Sequence, residues 1–113
     1  MENEVWKDIP DYEGLYQISN LGRVKALSKT IKGRKYEENI KVPSLGGKGY
    51  YRLPLCKNGK NKYFYIHRLV AKAFIPNFNN KPTVDHIDRN KLNNEVSNLR
   101  WATYKEQIAN RLL

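Results

Sequence analysis

Residues 83–111 read TVDHIDRNKLNNEVSNLRWATYKEQIANR, and the fold is decided there. Val84 and Ile87 bracket Asp85 and His86 in a short run that suits a strand over residues 84–87. Residues 88–98 form an Asn-rich loop, because Asn and Asp side chains hydrogen-bond nearby backbone and compete with regular structure. Residues 99–102, LRWA, make a second short strand. Thr103 follows, with Glu106 three places on. This Thr-x-x-Glu spacing is a capping box and predicts a helix from about Tyr104. The C-terminal order is strand, loop, strand, helix.

Upstream, the periodicity from His67 is helical. Leu69, Val70, Ala73 and Phe74 share one face, Arg68 and Lys72 lie off it, and Pro76 ends the helix. Residues 77–83 are a polar loop. Before the helix, residues 50–55 and 62–66 read as the arms of a hairpin whose connection contains Asn58-Gly59, a strong turn signal. Pro54 predicts an edge position for the first arm. Gly46, Gly47 and Gly49 predict a flexible turn. Residues 29–35 and 37–42 are strand candidates, with Gly33 suited to a turn. Residues 1–27 read as short strands broken by turns at 11–14 and 19–22. The strand at 23–27 puts Arg23 and Lys25 on one face and Val24 and Ala26 on the other. The class is α+β: an N-terminal antiparallel β region, a helix, then a ββα unit. The expected division is residues 1–62, basic and β-rich, and residues 63–113, joined as one compact unit.

A chain of 113 residues accommodates one domain, which buries roughly two-thirds of its unfolded surface. With 40% hydrophobic and 28% charged residues it reads as globular rather than disordered. No run approaches the roughly 20 apolar residues of a membrane span. The start, MENEVWKDIP, has no apolar leader core, so no secretory signal is expected. Cys56 is the single cysteine, which excludes an intrachain disulfide and a cysteine-built structural zinc site. A reducing, cytoplasmic setting is expected.

The net charge is +10, from 21 Lys and Arg against 11 Asp and Glu. Residues 23–62 hold twelve of the basic residues and only Glu37 and Glu38 as acids, so that segment carries the whole imbalance. Residues 67–113 hold eight basic and four acidic residues, and the acidic N-terminal segment offsets that excess. Phosphate neutralisation makes nucleic acid the expected partner. No long amphipathic helix accompanies the charge, which disfavours a membrane surface.

His86 is one of two histidines, and a neutral imidazole suits a general base. An acid beside it, with an amide oxygen from the following helix, can hold one hard cation completed by phosphate oxygens. On a strand Asp85 and His86 point oppositely unless a bend lets them converge. The segments HRLVAKAFIPN and VDHIDRNKLNNEVSNLRWAT resemble the HNH homing endonucleases of phages and introns, whose hallmark is a ββα-metal fold. EVWKDIPDYEGLYQISNLGRVKAL resembles the modular domain found ahead of HNH motifs in such nucleases.

The resemblance implies Asp85 as a metal ligand, His86 as the base that activates water, and Asn98 as the Asn holding the His and its loop. The second ligand, usually Asn or His, falls on Gln107, a longer arm carrying the same amide oxygen; Asn110, one turn later, is the alternative. The cation is expected to be Mg²⁺ or Mn²⁺. The expected DNA contacts are Arg23, Lys25, Lys29, Lys32, Arg34, Lys35, Lys48 and Arg52. Arg100 and Arg111 read as solvated charges, His67 as a structural histidine, Trp6 and Trp101 as core, and Asp88, Asn90 and Asn94 as loop-stabilising.

The function read from this is a metal-dependent DNA endonuclease or nickase acting on double-stranded DNA as a monomer or homodimer. One alternative is a non-catalytic DNA-binding protein on a degenerate HNH scaffold, for which Gln107 speaks. Another is a protein-interaction module using the basic sheet.

Overall fold

Turn chemistry sets where the strands begin and end in the computed structural model, which describes residues 3–111. Strands β1 (Trp6–Asp8), β2 (Tyr16–Ser19), β3 (Val24–Ala26) and β6 (Asn39–Lys41) form an antiparallel sheet in the order β1-β2-β3-β6. Between β3 and β6, residues 29–36 fold back on themselves as β4 (Lys29–Ile31) and β5 (Arg34–Tyr36), a separate two-stranded hairpin. The single strand expected over 29–35 is thus two strands. Lys32 and Gly33 both adopt positive φ, which reverses the chain between them.

Strands β7 (Ser44–Leu45), β8 (Tyr51–Lys57) and β9 (Lys60–Tyr65) form the second sheet. Asn58 and Gly59, at φ 54° and 74°, make the two-residue turn that the sequence announces. Pro54 lies in the central strand rather than at an edge. It is tolerated because β7 pairs only with Tyr51 and Arg52, leaving the outer side of β8 open at residue 54. The turn expected at residues 46–49 is a single 3-10 turn over Gly47–Gly49.

Helix α1 (Ile66–Phe74) starts one residue earlier than expected and ends at Ile75, whose N–H bonds the Ala71 carbonyl just before Pro76. Strand β10 (Thr83–His86) pairs with β11 (Leu99–Ala102) in antiparallel register. Helix α2 (Tyr104–Arg111) follows its predicted capping box: Thr103 N–H donates to Glu106 Oε1 at 2.9 Å, and Glu106 N–H donates to Thr103 Oγ1 at 3.1 Å.

One apolar core joins both halves of the chain. Ile9, Tyr16, Ile18 and Val24 from the N-terminal sheet pack with Leu53 and Leu55 of β8, Ile66, Leu69 and Val70 of α1, and Val84 and Leu99 of the C-terminal hairpin. Each such side chain contributes roughly 1.5–3 kcal/mol over its exposed state. The division expected at residues 62 and 63 falls inside β9. Trp101 packs against this core with its indole N–H on the Ile75 carbonyl at 2.8 Å. Trp6 is half-buried instead, beneath Lys25, whose Nζ lies 4.2 Å from the ring centroid. Among the described residues no helix is long and apolar enough to cross a membrane.

Candidate active site

Asp85 and His86 are the last two residues of β10. Asp85 points toward α2, and His86 points toward α1 and Tyr50. Because the strand stops at His86, both line one cavity of about 90 Å³, together with Tyr50, Lys91, Gln107 and Asn110. The two faces of the strand meet at its end, which is the bend the sequence left open.

The Asp85 carboxylate is buried and held from two elements. Asn110 Nδ2 lies 3.1 Å from Oδ1 and 3.0 Å from Oδ2. Arg100, directly opposite in the strand register, places Nε and a second guanidinium nitrogen each 3.0 Å from Oδ2. Oδ2 therefore takes three donors and Oδ1 one, so the lone pairs left for a further partner are concentrated on Oδ1. The expectation that Arg100 is a solvated charge is corrected: cross-strand pairing sets it on Asp85.

The two amides of α2 have different partners. Asn110 Nδ2 also donates to the His86 carbonyl at 3.1 Å. All its partners are acceptors, so its NH₂ group faces inward, and reversing the amide would set oxygen against oxygen. Gln107, one turn earlier, donates Nε2 to the Val84 carbonyl at 3.0 Å. That anchor leaves Oε1 as the end of the Gln107 amide available to a ligand. Asn110 is therefore a buried donor that orients Asp85, and Gln107 Oε1 takes no hydrogen bond among the described residues.

His86 is 4% exposed, and its Nε2 lies 2.8 Å from Asn94 Oδ1. An amide oxygen accepts, so Nε2 carries the proton and Nδ1 the lone pair. Burial lowers the His86 pKa below its ordinary value, against the opposing pull of Asn94 and Asp85, and keeps the ring neutral near neutral pH. Tyr50 stacks on it at 5.8 Å and 25°, and the His67 ring lies 5.0 Å away.

Asn98 works on the loop. Its Oδ1 accepts the Asp88 N–H at 2.9 Å, and its Nδ2 donates to Asp88 Oδ1 and to the Asn93 carbonyl, each at 2.9 Å. Asn93 Nδ2 closes the network on Asp88 Oδ2 at 2.9 Å, and these bonds hold the Asp88 carboxyl below the usual carboxylate range. The loop so fixed carries Asn94 to His86. The Asn abundance of residues 88–98 builds this network, but the sequence did not assign Asn94 to His86, nor Asn110 and Arg100 to Asp85 as donors.

The expected DNA contacts separate in space. Lys48 lines a groove of about 620 Å³ that adjoins the cavity at Asp85 and His86, with Lys91, Arg68 and Arg111. Lys29, Lys32, Arg34 and Lys35 belong to the exposed β4–β5 hairpin. Arg23 is ion-paired with Glu4, and Lys25 is packed over Trp6 with Glu38 3.8 Å away. The Arg52 guanidinium lies 4.6 Å from the Tyr63 ring.

The NUMOD4 motif matches residues 4–56, and the HNH endonuclease family matches residues 64–108. The chain thus carries a segment similar to the HNH endonucleases, with a segment similar to the NUMOD4 motif ahead of it. It is 44% identical over 107 residues to the DNA endonuclease I-HmuI of Bacillus phage SP01, covering 95% of this chain and 57% of that protein. It is 35% identical over 101 residues to the H-N-H endonuclease F-TflII of Escherichia phage T5, covering 88% of this chain and 48% of that one. A solved structure describing DNA binding and cleavage by the HNH homing endonuclease I-HmuI superposes with a TM-score of 0.79, over 99% of this chain and 58% of that chain, at 43% identity. The chain thus spans about half the length of these relatives.

Proposed function

We propose that this chain is an endonuclease or nickase of double-stranded DNA, hydrolysing a phosphodiester bond with His86 as general base and one divalent cation, Mg²⁺ or Mn²⁺. The single observation that carries the reading is the cavity at the end of β10. There His86, with its Nε2 taken by Asn94, lines one cavity together with Asp85 and Gln107. The donor set is a carboxylate and an amide oxygen, hard ligands that suit Mg²⁺ or Mn²⁺ and leave positions for water and phosphate. Asp85 Oδ1 and Gln107 Oε1 would hold the ion. When bound, such an ion polarises the phosphoryl group and stabilises the departing oxygen.

The chain's own residues supply the rest. Asn94 fixes the His86 tautomer, so that Nδ1 takes the proton of the attacking water. Burial keeps that nitrogen unprotonated at neutral pH. Arg100 and Asn110 hold the Asp85 carboxylate in one orientation. Asn98 holds the loop behind Asn94 and acts through it. One such site cuts one strand, so a monomer nicks and a homodimer cuts both.

The test is nicking of supercoiled plasmid with Mg²⁺, Mn²⁺ or chelator, by the wild type and by His86→Ala. Nicking that needs the metal and is lost in His86→Ala, with DNA affinity retained, is the expected result. Tight DNA binding by the wild type without nicking in either metal would establish the non-catalytic DNA-binding reading instead.

A further inference from the structure

The basic groove beside the catalytic cavity does not end at α1. The cavity and the groove share Tyr50, Lys91, Gln107 and Arg111. The groove in turn shares Tyr65 and Arg68 with a third depression of about 370 Å³, which lies between β9, α1 and the turn at residues 9–12. The three concavities form one track that begins at Asp85 and His86.

The third depression combines cationic and aromatic surface. Arg68 and Lys72 stand one turn apart on α1 and share a face. Lys57 and Lys62 come from the two arms of the β8–β9 hairpin. Tyr12, Tyr63 and Phe64 supply flat apolar walls, and Asp11 is the one carboxylate on the lining. Several cations are already tethered: Lys57 Nζ lies 5.8 Å from the Tyr12 ring, Lys62 Nζ lies 5.5 Å from Phe64, and Arg68 donates to the Pro82 carbonyl at 3.3 Å. Side chains held in place lose less freedom when an anion arrives. Charges lining a concave surface also focus the field more than the same charges on a convex one.

We propose that the DNA backbone leaving the catalytic cavity runs over Arg68 and Lys72 of α1 and into this cleft, with Lys57 and Lys62 as its distant phosphate contacts and Tyr63 against the sugars. The inference rests on the endonuclease reading above and adds a binding surface to it. Most of that surface lies outside the residues that the sequence nominated for DNA.

The experiment compares the wild type with Lys57→Ala/Lys62→Ala/Lys72→Ala in binding a labelled 30-base-pair duplex in chelator, at several salt concentrations. Loss of three phosphate contacts should lower the slope of log K against log salt by about 2.7 and weaken binding roughly tenfold or more near 100 mM salt. An unchanged affinity and slope in a variant that melts like the wild type would overturn the track. Should the triple variant misfold, Lys62→Glu, at an exposed position, reads the same slope, with an expected loss of about one unit. A wild type that binds but does not nick removes the endonuclease reading while the slope still decides the track. A wild type that binds no duplex even at low salt removes both.

Discussion

Gly22 stands so close to Asn94 that a β-carbon placed on it would fall 2.9 Å from the Asn94 Cβ and 3.0 Å from its carbonyl oxygen. The contact links the N-terminal sheet to the residue that holds His86. A second bond reinforces it, from the Val96 N–H to the Asn20 carbonyl at 2.8 Å. The turn at residues 19–22 is thus a buttress for the loop at residues 88–98, and the portion that matches the NUMOD4 motif shapes the candidate site.

Gly22→Ala should therefore do two things. Its φ of +86° is strained for alanine, at a cost of about 1–2 kcal/mol, and its methyl group displaces Asn94. Chemical denaturation should show that loss, and metal-dependent nicking should fall about tenfold or more at temperatures where the variant remains folded. A destabilised variant that nicks at the wild-type rate would separate the turn from His86 positioning.

The amides of α2 should also be distinguishable. Gln107→Ala removes a proposed ligand oxygen, so the cation concentration giving half-maximal nicking should rise about tenfold or more, while duplex affinity in chelator holds. Asn110→Ala removes a donor from a buried carboxylate and should cost about 1–3 kcal/mol of stability besides. Equal stability losses in the two variants, with no change in cation dependence for Gln107→Ala, would transfer the ligand role away from Gln107.

Much of this was legible in the sequence, for physical reasons. The Asn58-Gly59 turn, the Thr103–Glu106 capping box and the Pro76 stop are local signals that act within a few residues, and each stands in the structure. The ββα order followed from them. Pairing across the loop at residues 88–98 was not legible, because eleven irregular residues do not fix a register. Arg100 could not be set opposite Asp85 until the register was known. Asn94 was hidden among similar neighbours in a loop where Asn90, Asn93 and Asn98 also bond locally. The charge count located cations along the chain but not in space, so it grouped Lys25, packed on Trp6, with Lys48, which faces the groove.

The capping box makes a stability prediction independent of catalysis. Glu106 bonds the Thr103 N–H and Lys81 Nζ, each at 2.9 Å, and these contacts draw its carboxyl down to about 2. Thr103→Ala removes the hydroxyl that caps the Glu106 N–H and should lower stability by about 1 kcal/mol in urea unfolding. Thr103→Ser keeps an oxygen there and should restore most of it. No difference between the two variants would mean that the hydroxyl bond contributes nothing to the helix.

His67 carries the pH dependence. It is 5% exposed, stacks on Tyr50 at 4.8 Å and 30°, and its buried Nδ1 has no hydrogen-bond partner among the described residues. Burial, helped by His86 and Arg68, lowers its pKa to about 3. The unfolded chain binds that proton near pH 6.5, well before the folded one does. Stability from this group is therefore complete above about pH 6.5 and is lost as pH falls, by roughly 1.4 kcal/mol per pH unit, until the folded ring titrates near 3. His67→Phe keeps a ring against Tyr50 and removes the titration. Between pH 6.5 and pH 4 the wild type should lose about 3 kcal/mol more than the variant, measured by urea unfolding at each pH. His86 shifts in the same direction and persists in both proteins, so it cancels in the comparison. Parallel stability curves for wild type and His67→Phe would show that the ring is already protonated, or already hydrated, in the folded state.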